Sequence, residues 1–135
     1  MRVFLDANIL FAAAYQPDGR IHILLIGARG ANVHLMTSDL SLEEARRNLG
    51  LKASPAALGE LDRLARFLEV QRTPSEGHCP FPLPPKDQPL FWAARSGGAT
   101  HFLTGDLTHF GSWMNKPGKT AGIRIQTARE FFESI

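Results

Sequence analysis

This 135-residue sequence has a single cysteine and no long apolar segment. Cys79 has no second thiol with which to form an internal disulfide or a cysteine-rich zinc site. No apolar stretch approaches the roughly 18 residues that a membrane span needs, and the N-terminus lacks a basic segment followed by a long apolar region. We therefore expect no membrane association and a cytoplasmic location.

The composition excludes wholesale disorder. Apolar residues make up 44% of the chain and charged residues 21%, as in ordinary soluble globular proteins. A chain of 135 residues is long enough to bury one core and too short for two ordinary domains. We expect a single domain that spans residues 1–135.

Short apolar runs alternate with helical patterns along the chain. Strands are predicted at residues 3–5, 33–36, 68–71, 102–104 and 123–125. Apolar residues between them recur at helical spacing, for example at 21, 24, 25 and 28, and again at 58, 61, 65 and 68. Ser54-Pro55 and the segment from Thr127 to Glu130 have the capping residues that begin helices. Residues 73–85 contain five prolines and predict a surface crossing. This alternation is typical of a parallel α/β sheet.

Two acidic residues follow predicted strands directly. Asp6 closes the first strand, and Asp106 comes after the fourth strand and Gly105. Because ligand sites of parallel sheets form beyond the carboxyl ends of the strands, we expect these carboxylates to share a cleft. An acid that closes a buried strand adds little to stability, which favours a metal site, although an Asx-turn is possible at either position.

Two further acids, Glu44 and Asp87, lie where helices are predicted. Glu44 falls in a predicted helix at residues 38–50 whose apolar side is formed by Leu42, Ala45 and Leu49. The segment from Ser41 to Glu44 also fits a capping box, so capping or a solvated position is the more frequent role for such a glutamate. Asp87 precedes an apolar helix, where an acid acts equally well as an N-cap. The residues alone leave both alternatives open.

The charge balance suggests a polyanionic substrate. The net charge is only +2, but 15 basic residues face 9 acidic ones when Asp6, Glu44, Asp87 and Asp106 are set aside. A basic surface around an acidic pocket suits a nucleic acid cut with a metal ion, although a pI near 9.0 is common among small proteins. Candidate phosphate contacts are Arg46, Arg47, His109 and Lys116, for each of which a solvated role is the commoner one.

Four segments, taken in order, resemble the motifs of PIN-domain nucleases, and more narrowly those of bacterial VapC-type toxins. Residues 4–10 (FLDANIL) resemble the opening strand with its aspartate, and residues 38–49 (SDLSLEEARRNL) the second acidic motif, with Glu44 as the site residue. Residues 83–90 (LPPKDQPL) resemble the third motif, and residues 103–111 (LTGDLTHFG) the fourth and most specific one. The resemblance covers nearly the whole chain.

The resemblance implies a five-stranded parallel sheet of order 3-2-1-4-5 flanked by helices, and endoribonuclease activity with Mg²⁺ or Mn²⁺. Asp6, Asp87 and Asp106 would be metal ligands, and Glu44 a further ligand or the group that orients the attacking water. Such a hard cation prefers oxygen ligands and relieves the repulsion among the carboxylates. Pro84 stands where some members of the family carry an extra acid, so the number of ions stays open.

Four further expectations concern supporting residues and partners. Asn8 and Thr104 could hydrogen-bond the carboxylates and fix their orientation. The resemblance also implies an RNA substrate, a cognate antitoxin protein and a homodimer.

Two other classes of function remain as alternatives. A PIN-like scaffold could bind RNA or protein without cleavage, although the intact acidic quartet argues against it. A phosphorylated receiver domain would need a pair of acids after the first strand, whereas Asp6 is followed by Ala7 and Asn8. The five histidines lack a metal-ligand spacing.

Overall fold

The computed structural model describes residues 1–28, 30, 32–52 and 54–135. Its strands are β1 (Arg2–Leu5), β2 (His34–Ser38), β3 (Glu69–Gln71), β4 (His101–Leu103) and β5 (Arg124–Gln126). Its α-helices are α1 (Ala7–Tyr15), α2 (Arg20–Ala28), α3 (Asp39–Leu51), α4 (Pro55–Ala65), α5 (Gln88–Ser96), α6 (Leu107–Phe110) and α7 (Ala128–Ser134). Two short 3₁₀ helices, Gly111–Trp113 and Pro117–Lys119, precede β5.

The five strands form one parallel sheet in the order β3-β2-β1-β4-β5, which confirms the predicted topology. β1 is central, and Val3, Phe4 and Leu5 are completely buried. Central strands of a parallel sheet are covered on both faces, which explains this continuous apolar run. The carboxyl end of β1 lies beside that of β4, because Leu5 is in register with Leu103.

The core has two layers, one on each face of the sheet. Val3 and Leu5 belong to one cluster, together with residues of α1, α2, α3, α4 and α7. Phe4 points to the other face and joins an aromatic cluster, where its ring stacks on Phe102 with 5.1 Å between centroids. The alternation along β1 follows from the two-residue period of a strand.

The two predicted helix caps are confirmed, whereas several predicted ends of helices and strands differ from the structure. Ser54 caps α4 through its hydroxyl, and Thr127 and Glu130 form the predicted capping box of α7. Leu68 was expected to continue the apolar face of α4, but that helix ends at Ala65, and Leu68 is buried in the turn before β3. β4 ends at Leu103, one residue before the predicted end.

The proline-rich crossing at residues 73–85 contains neither helix nor strand, as predicted. Its apolar side chains are nevertheless anchored, since Phe81 and Leu83 are each only 4% exposed. The ring of Phe81 packs edge-on against Phe91 of α5, with centroids 4.8 Å apart. No helix in the described part of the chain is long and apolar enough to cross a membrane.

Candidate active site

The junction of β1 and β4 places the first and last acidic motifs next to each other. The backbone N–H of Asp6 donates to the carbonyl of Leu103 at 3.0 Å, which continues the ladder between β1 and β4 by one step. The residue that follows each strand therefore lies at the same edge of the sheet. The chain turns into α1 after Asp6 and into α6 after Asp106, so each aspartate is also an N-cap.

Asp6 is held by three donors. Its Oδ1 accepts from the backbone N–H of Ala7 at 2.8 Å, and its Oδ2 accepts from the Thr104 hydroxyl at 2.8 Å and from the Asn8 amide at 3.2 Å. The Thr104 hydroxyl also accepts from the backbone N–H of Asp106 at 3.0 Å. Thr104 thus connects the two strand-end aspartates, and Asn8 further ties this corner to Gly105, whose N–H it accepts at 2.7 Å.

Asp6 is a buried carboxyl group with an elevated pKa. The residue is only 4% exposed, and burial is the main cause that raises its pKa from 3.8 to about 6. The hydrogen bonds from Thr104 and Ala7 lower the pKa, whereas the negative charges of Glu44 and Asp87 raise it further. Carboxylates that share one cleft raise one another's pKa in this way.

Asp87 enters the site from the position directly before α5. Its backbone N–H donates to the carbonyl of Pro84 at 2.9 Å, so the end of the proline-rich crossing sets its position. Among the described residues, its side chain makes no capping hydrogen bond to α5, so capping does not account for its burial. Burial raises the pKa of Asp87, interactions with His109 and Lys86 lower it, and the charge of Asp106 raises it.

His109 lies between two of the aspartates. Its Nδ1 is 2.8 Å from Asp87 Oδ2 and 2.8 Å from Asp106 Oδ2. The carboxylate of Asp106, the N-cap of α6, is held beside His109, because its Oδ1 accepts from the backbone N–H of His109 at 3.1 Å. Ligand atoms of Asp87, Asp106 and His109 all lie within 4.8 Å of one another, close enough to hold one metal ion.

Glu44 reaches the same cleft from α3. The cap of this helix is Ser38, whose hydroxyl accepts from the backbone N–H of Ser41, so the alternative of a capping box with Glu44 is wrong. Glu44 is exposed, and Asn48 and Lys52 follow it at intervals of four residues. Residues four apart share one face of a helix, so α3 presents an acid, an amide and a cation to the cleft.

All four predicted acids line one cleft of about 400 Å³. Its lining also includes two basic side chains and a few apolar ones, namely Lys52 and Lys86 with Phe11, Leu51 and Leu90. The residues fit a divalent cation, since the donors are mainly carboxylate oxygens. Within the described part of the chain, Asp87 Oδ2 and His109 Nδ1 are buried without a hydrogen-bond partner, and a cation would satisfy both.

Comparisons with known proteins bear on the fold. No protein-family model matches the chain, and no curated protein matches it. Solved structures do match: VapBC2 from Rickettsia felis, bound to a DNA fragment from their promoter, has a TM-score of 0.65 and 14% identity over 94% of this chain and 98% of that one. VapBC-1 from nontypeable Haemophilus influenzae has a TM-score of 0.57 and 16% identity over 96% and 99%. Mycobacterium tuberculosis VapC20, described as a sarcin-ricin loop cleaving toxin, has a TM-score of 0.55 and 18% identity over 81% and 95%.

This chain has the PIN-domain fold of the VapC proteins. The likeness confirms the fold expected from the four motifs. At identities of 14% to 18% it concerns the fold alone, and the activity has to be argued from the residues of the cleft.

The basic residues that the sequence suggested as phosphate contacts have other neighbours in the structure. Arg46 donates to Asp62 of α4 at 3.0 Å, and Arg47 lies 3.6 Å from Glu43, its neighbour one turn earlier. The Lys116 ammonium donates to the carbonyl of Ser112 at 3.0 Å. Among the described residues, the lining of the cleft does not include Arg46, Arg47, Lys116 or His109.

The cations that do line the cleft, Lys52 and Lys86, were missed in the sequence. Signals for both were present, because Lys86 precedes Asp87 directly and Lys52 lies two helical turns after Glu44. The contact of His109 with two carboxylates was also missed. Its three-residue distance from Asp106 could have indicated it, since residues three apart on a helix are neighbours.

Proposed function

We propose that this protein is a divalent-metal-dependent endoribonuclease that hydrolyses phosphodiester bonds of RNA. The main support is the convergence of Asp6, Glu44, Asp87 and Asp106 in one cleft at the carboxyl edge of a PIN-fold sheet. Burial and the repulsion between neighbouring carboxylates raise the pKa of Asp6 and of Asp87. Ionisation of these two groups therefore costs free energy unless the carboxylates bind a cation.

In this proposal Asp6, Asp87 and Asp106 are ligands of Mg²⁺ or Mn²⁺, and Glu44 is a further ligand or orients the attacking water at the more open side of the cleft. A bound divalent ion supplies Lewis-acid activation of the phosphate and of water. Thr104 and Asn8 act by orientation: their hydrogen bonds hold the carboxylate of Asp6 in one position before the substrate arrives.

The RNA backbone is proposed to contact Lys52 and Lys86, which are exposed on the lining of the cleft. Among the described residues neither lysine is in an ion pair, so a phosphate that contacts either one would displace none of those pairs. Arg46 and Arg47 already have acidic neighbours. Contacts of Arg46, Arg47, His109 and Lys116 with RNA stay predictions.

The biological role we propose is that of a toxin in a toxin-antitoxin pair. The supporting observation is the fold shared with the structures of VapBC2, VapBC-1 and VapC20. A cognate antitoxin, a homodimer and a cytoplasmic location are part of the same proposal.

The test is cleavage of a panel of labelled single-stranded and hairpin RNAs with Mg²⁺, Mn²⁺ or EDTA. We expect metal-dependent cutting by the wild type and a loss of at least about 100-fold in Asp6→Asn, Asp106→Asn and Glu44→Gln, because loss of supporting groups alone costs 10-fold to 100-fold. The matched control is Glu43→Gln, which removes the neighbouring acid on α3, exposed and outside the lining of the cleft.

Equal cleavage by wild type and Asp106→Asn would refute the proposed site. A wild type that binds both the ion and RNA but cuts no member of the panel would favour the scaffold alternative. Circular dichroism of each variant separates loss of activity from loss of fold.

A further inference from the structure

The environment of His109 differs from that of an ordinary surface histidine. Its side chain is 27% exposed, but Nδ1 itself is buried and close to one oxygen of each of two carboxylates. A ring nitrogen carries at most one hydrogen, so it can donate to only one of two acceptors. Here neither 2.8 Å contact to Asp87 or Asp106 has hydrogen-bond geometry.

The carboxylate partner is equally unsatisfied. The Asp87 side chain is 10% exposed, and its Oδ2 has no hydrogen-bond partner among the described residues. Buried polar atoms are nearly always paired, so two adjacent ones that lack partners call for a third group. A cation is a group that satisfies both atoms, since Asp87 Oδ2 and the Nδ1 of a neutral His109 ring each have an electron pair to donate, and Asp106 Oδ2 adds a third donor beside them.

The separations suit one ion. Neighbouring ligands of a cation with bonds of about 2.1 Å lie about 3 Å apart. The two distances from His109 Nδ1, both 2.8 Å, are close to that value before any adjustment. The hydrogen bond from its own backbone N–H to Asp106 Oδ1 keeps the imidazole beside Asp106.

We propose that His109 is a nitrogen ligand of the cation bound by Asp87 and Asp106, and that it gives this site a preference for first-row transition ions over Mg²⁺. Imidazole nitrogen is a softer donor than a carboxylate oxygen and adds affinity for transition ions, whereas Mg²⁺ gains little from it. The inference rests on the proposed function only in that it requires a cation beside Asp87 and Asp106, two of the acids that line the cleft.

The first measurement is pulsed electron paramagnetic resonance of the wild-type protein with Mn²⁺ and without RNA. We expect nitrogen hyperfine coupling of an imidazole ligand to the bound Mn²⁺, and its loss in His109→Ala. Absence of this coupling in the wild type would overturn the inference. The wild-type spectrum by itself decides this test, so a failure of His109→Ala to fold would leave it intact.

The second measurement is calorimetric titration of the same proteins with Mn²⁺ and with Mg²⁺. We expect His109→Ala to lower the affinity for Mn²⁺ by at least about tenfold and that for Mg²⁺ by less than about threefold. The control is His78→Ala, which removes an exposed histidine of the proline-rich crossing and should change neither affinity. Equal losses for both ions would mean that His109 only orients the carboxylates, and would also overturn the inference.

These results are independent of ribonuclease activity. A protein that shows nitrogen coupling but cuts no RNA would retain the ligand assignment and lose the proposed function. RNA cleavage without nitrogen coupling would retain the proposed function and overturn the ligand assignment.

Discussion

Asp6 binds its proton more tightly than an acid in water because the surrounding protein removes most of its hydration. Its three hydrogen bonds favour the ionised form but only partly offset the effect of burial, which leaves a pKa of about 6. The same carboxylate is therefore costly to ionise in the metal-free protein and well placed to bind a cation.

Asp6→Asn is expected to stabilise the metal-free protein above pH 6. Between pH 4 and pH 6 the folded state retains a proton on Asp6 that the unfolded state, with a pKa near 3.8, has lost. The free energy of unfolding of the wild type therefore falls as the pH rises through this range. The variant lacks this loss and should be more stable by about 1 to 3 kcal/mol at pH 8, with little difference at pH 4.

Urea denaturation in EDTA at pH 4 and pH 8 measures this effect. Asp18→Asn, at an exposed position in the turn before α2, is the control and should follow the wild type. The same pH dependence in Asp6→Asn and wild type would contradict the raised pKa.

Lys52→Ala and Lys86→Ala are each expected to weaken RNA binding uniformly across sequences. Removal of one phosphate contact should also reduce the slope of log affinity against log salt by about 0.7 to 1. Fluorescence anisotropy in an Asp106→Asn background measures binding without cleavage. Arg46→Ala is the matched control, since Arg46 is paired with Asp62. A larger decrease in affinity for Arg46→Ala than for either lysine variant would favour Arg46 as the phosphate contact.

Among the elements, the proline-rich crossing has a direct part in the site because it leads into Asp87. Phe81 and Leu83 anchor it to the aromatic core, and the Leu83 carbonyl accepts from the Gln88 side chain at 2.9 Å. At its start, Gly77 lies against Trp92 of α5, where a Cβ would come within 2.5 Å of the indole ring. The crossing and α5 therefore pack as one unit.

Gly77→Ala is expected to destabilise the protein by about 1 to 3 kcal/mol, because the added methyl group must displace Trp92 or the crossing. Gly59→Ala, in the middle of α4, is the matched control, because the added Cβ would meet no described atom within 4 Å apart from its chain neighbours and the adjacent helical backbone. It should stabilise by about 0.5 to 1 kcal/mol through helix propensity. Thermal denaturation of both variants measures this contrast, and an unchanged Gly77→Ala would indicate that the crossing is loosely attached.

For the molecule as a whole, cation binding should be coupled to folding. The proposed ligands lie at the β1–α1 junction, at the start of α5 and at the β4–α6 junction, and are brought together only in the folded chain, so the unfolded state has no equivalent site. Mn²⁺ at 100 times its dissociation constant should add about 2.7 kcal/mol to the free energy of unfolding.

This stabilisation should be smaller at pH 5 than at pH 8, because the ion competes with the proton on Asp6, whose pKa is about 6. Calorimetric unfolding with Mn²⁺ or EDTA at the two pH values measures both effects. Asp6→Asn should lose most of the stabilisation at pH 8. Equal stabilisation at both pH values would exclude Asp6 as a ligand.

The amino-acid order was sufficient to predict a parallel α/β sheet and to single out Asp6 and Asp106, whereas the strand order and the place of Glu44 and Asp87 in a site were expected from the resemblance to PIN-domain nucleases. Periodicity distinguishes buried strands from amphipathic helices. An aspartate at the end of a buried strand adds little to stability, which is why Asp6 indicated a site. The order was also sufficient for the caps at Ser54 and Thr127, since capping depends on residues within one turn.

Contacts between distant segments required the folded chain. The ion pair of Arg46 with Asp62 and the place of His109 between Asp87 and Asp106 depend on what packs beside each helix. A local sequence pattern does not show how far residue 87 lies from residue 109, because the two residues meet only when β4 pairs with β1 in the folded sheet. The three-dimensional arrangement thus selects which basic and acidic side chains line the cleft.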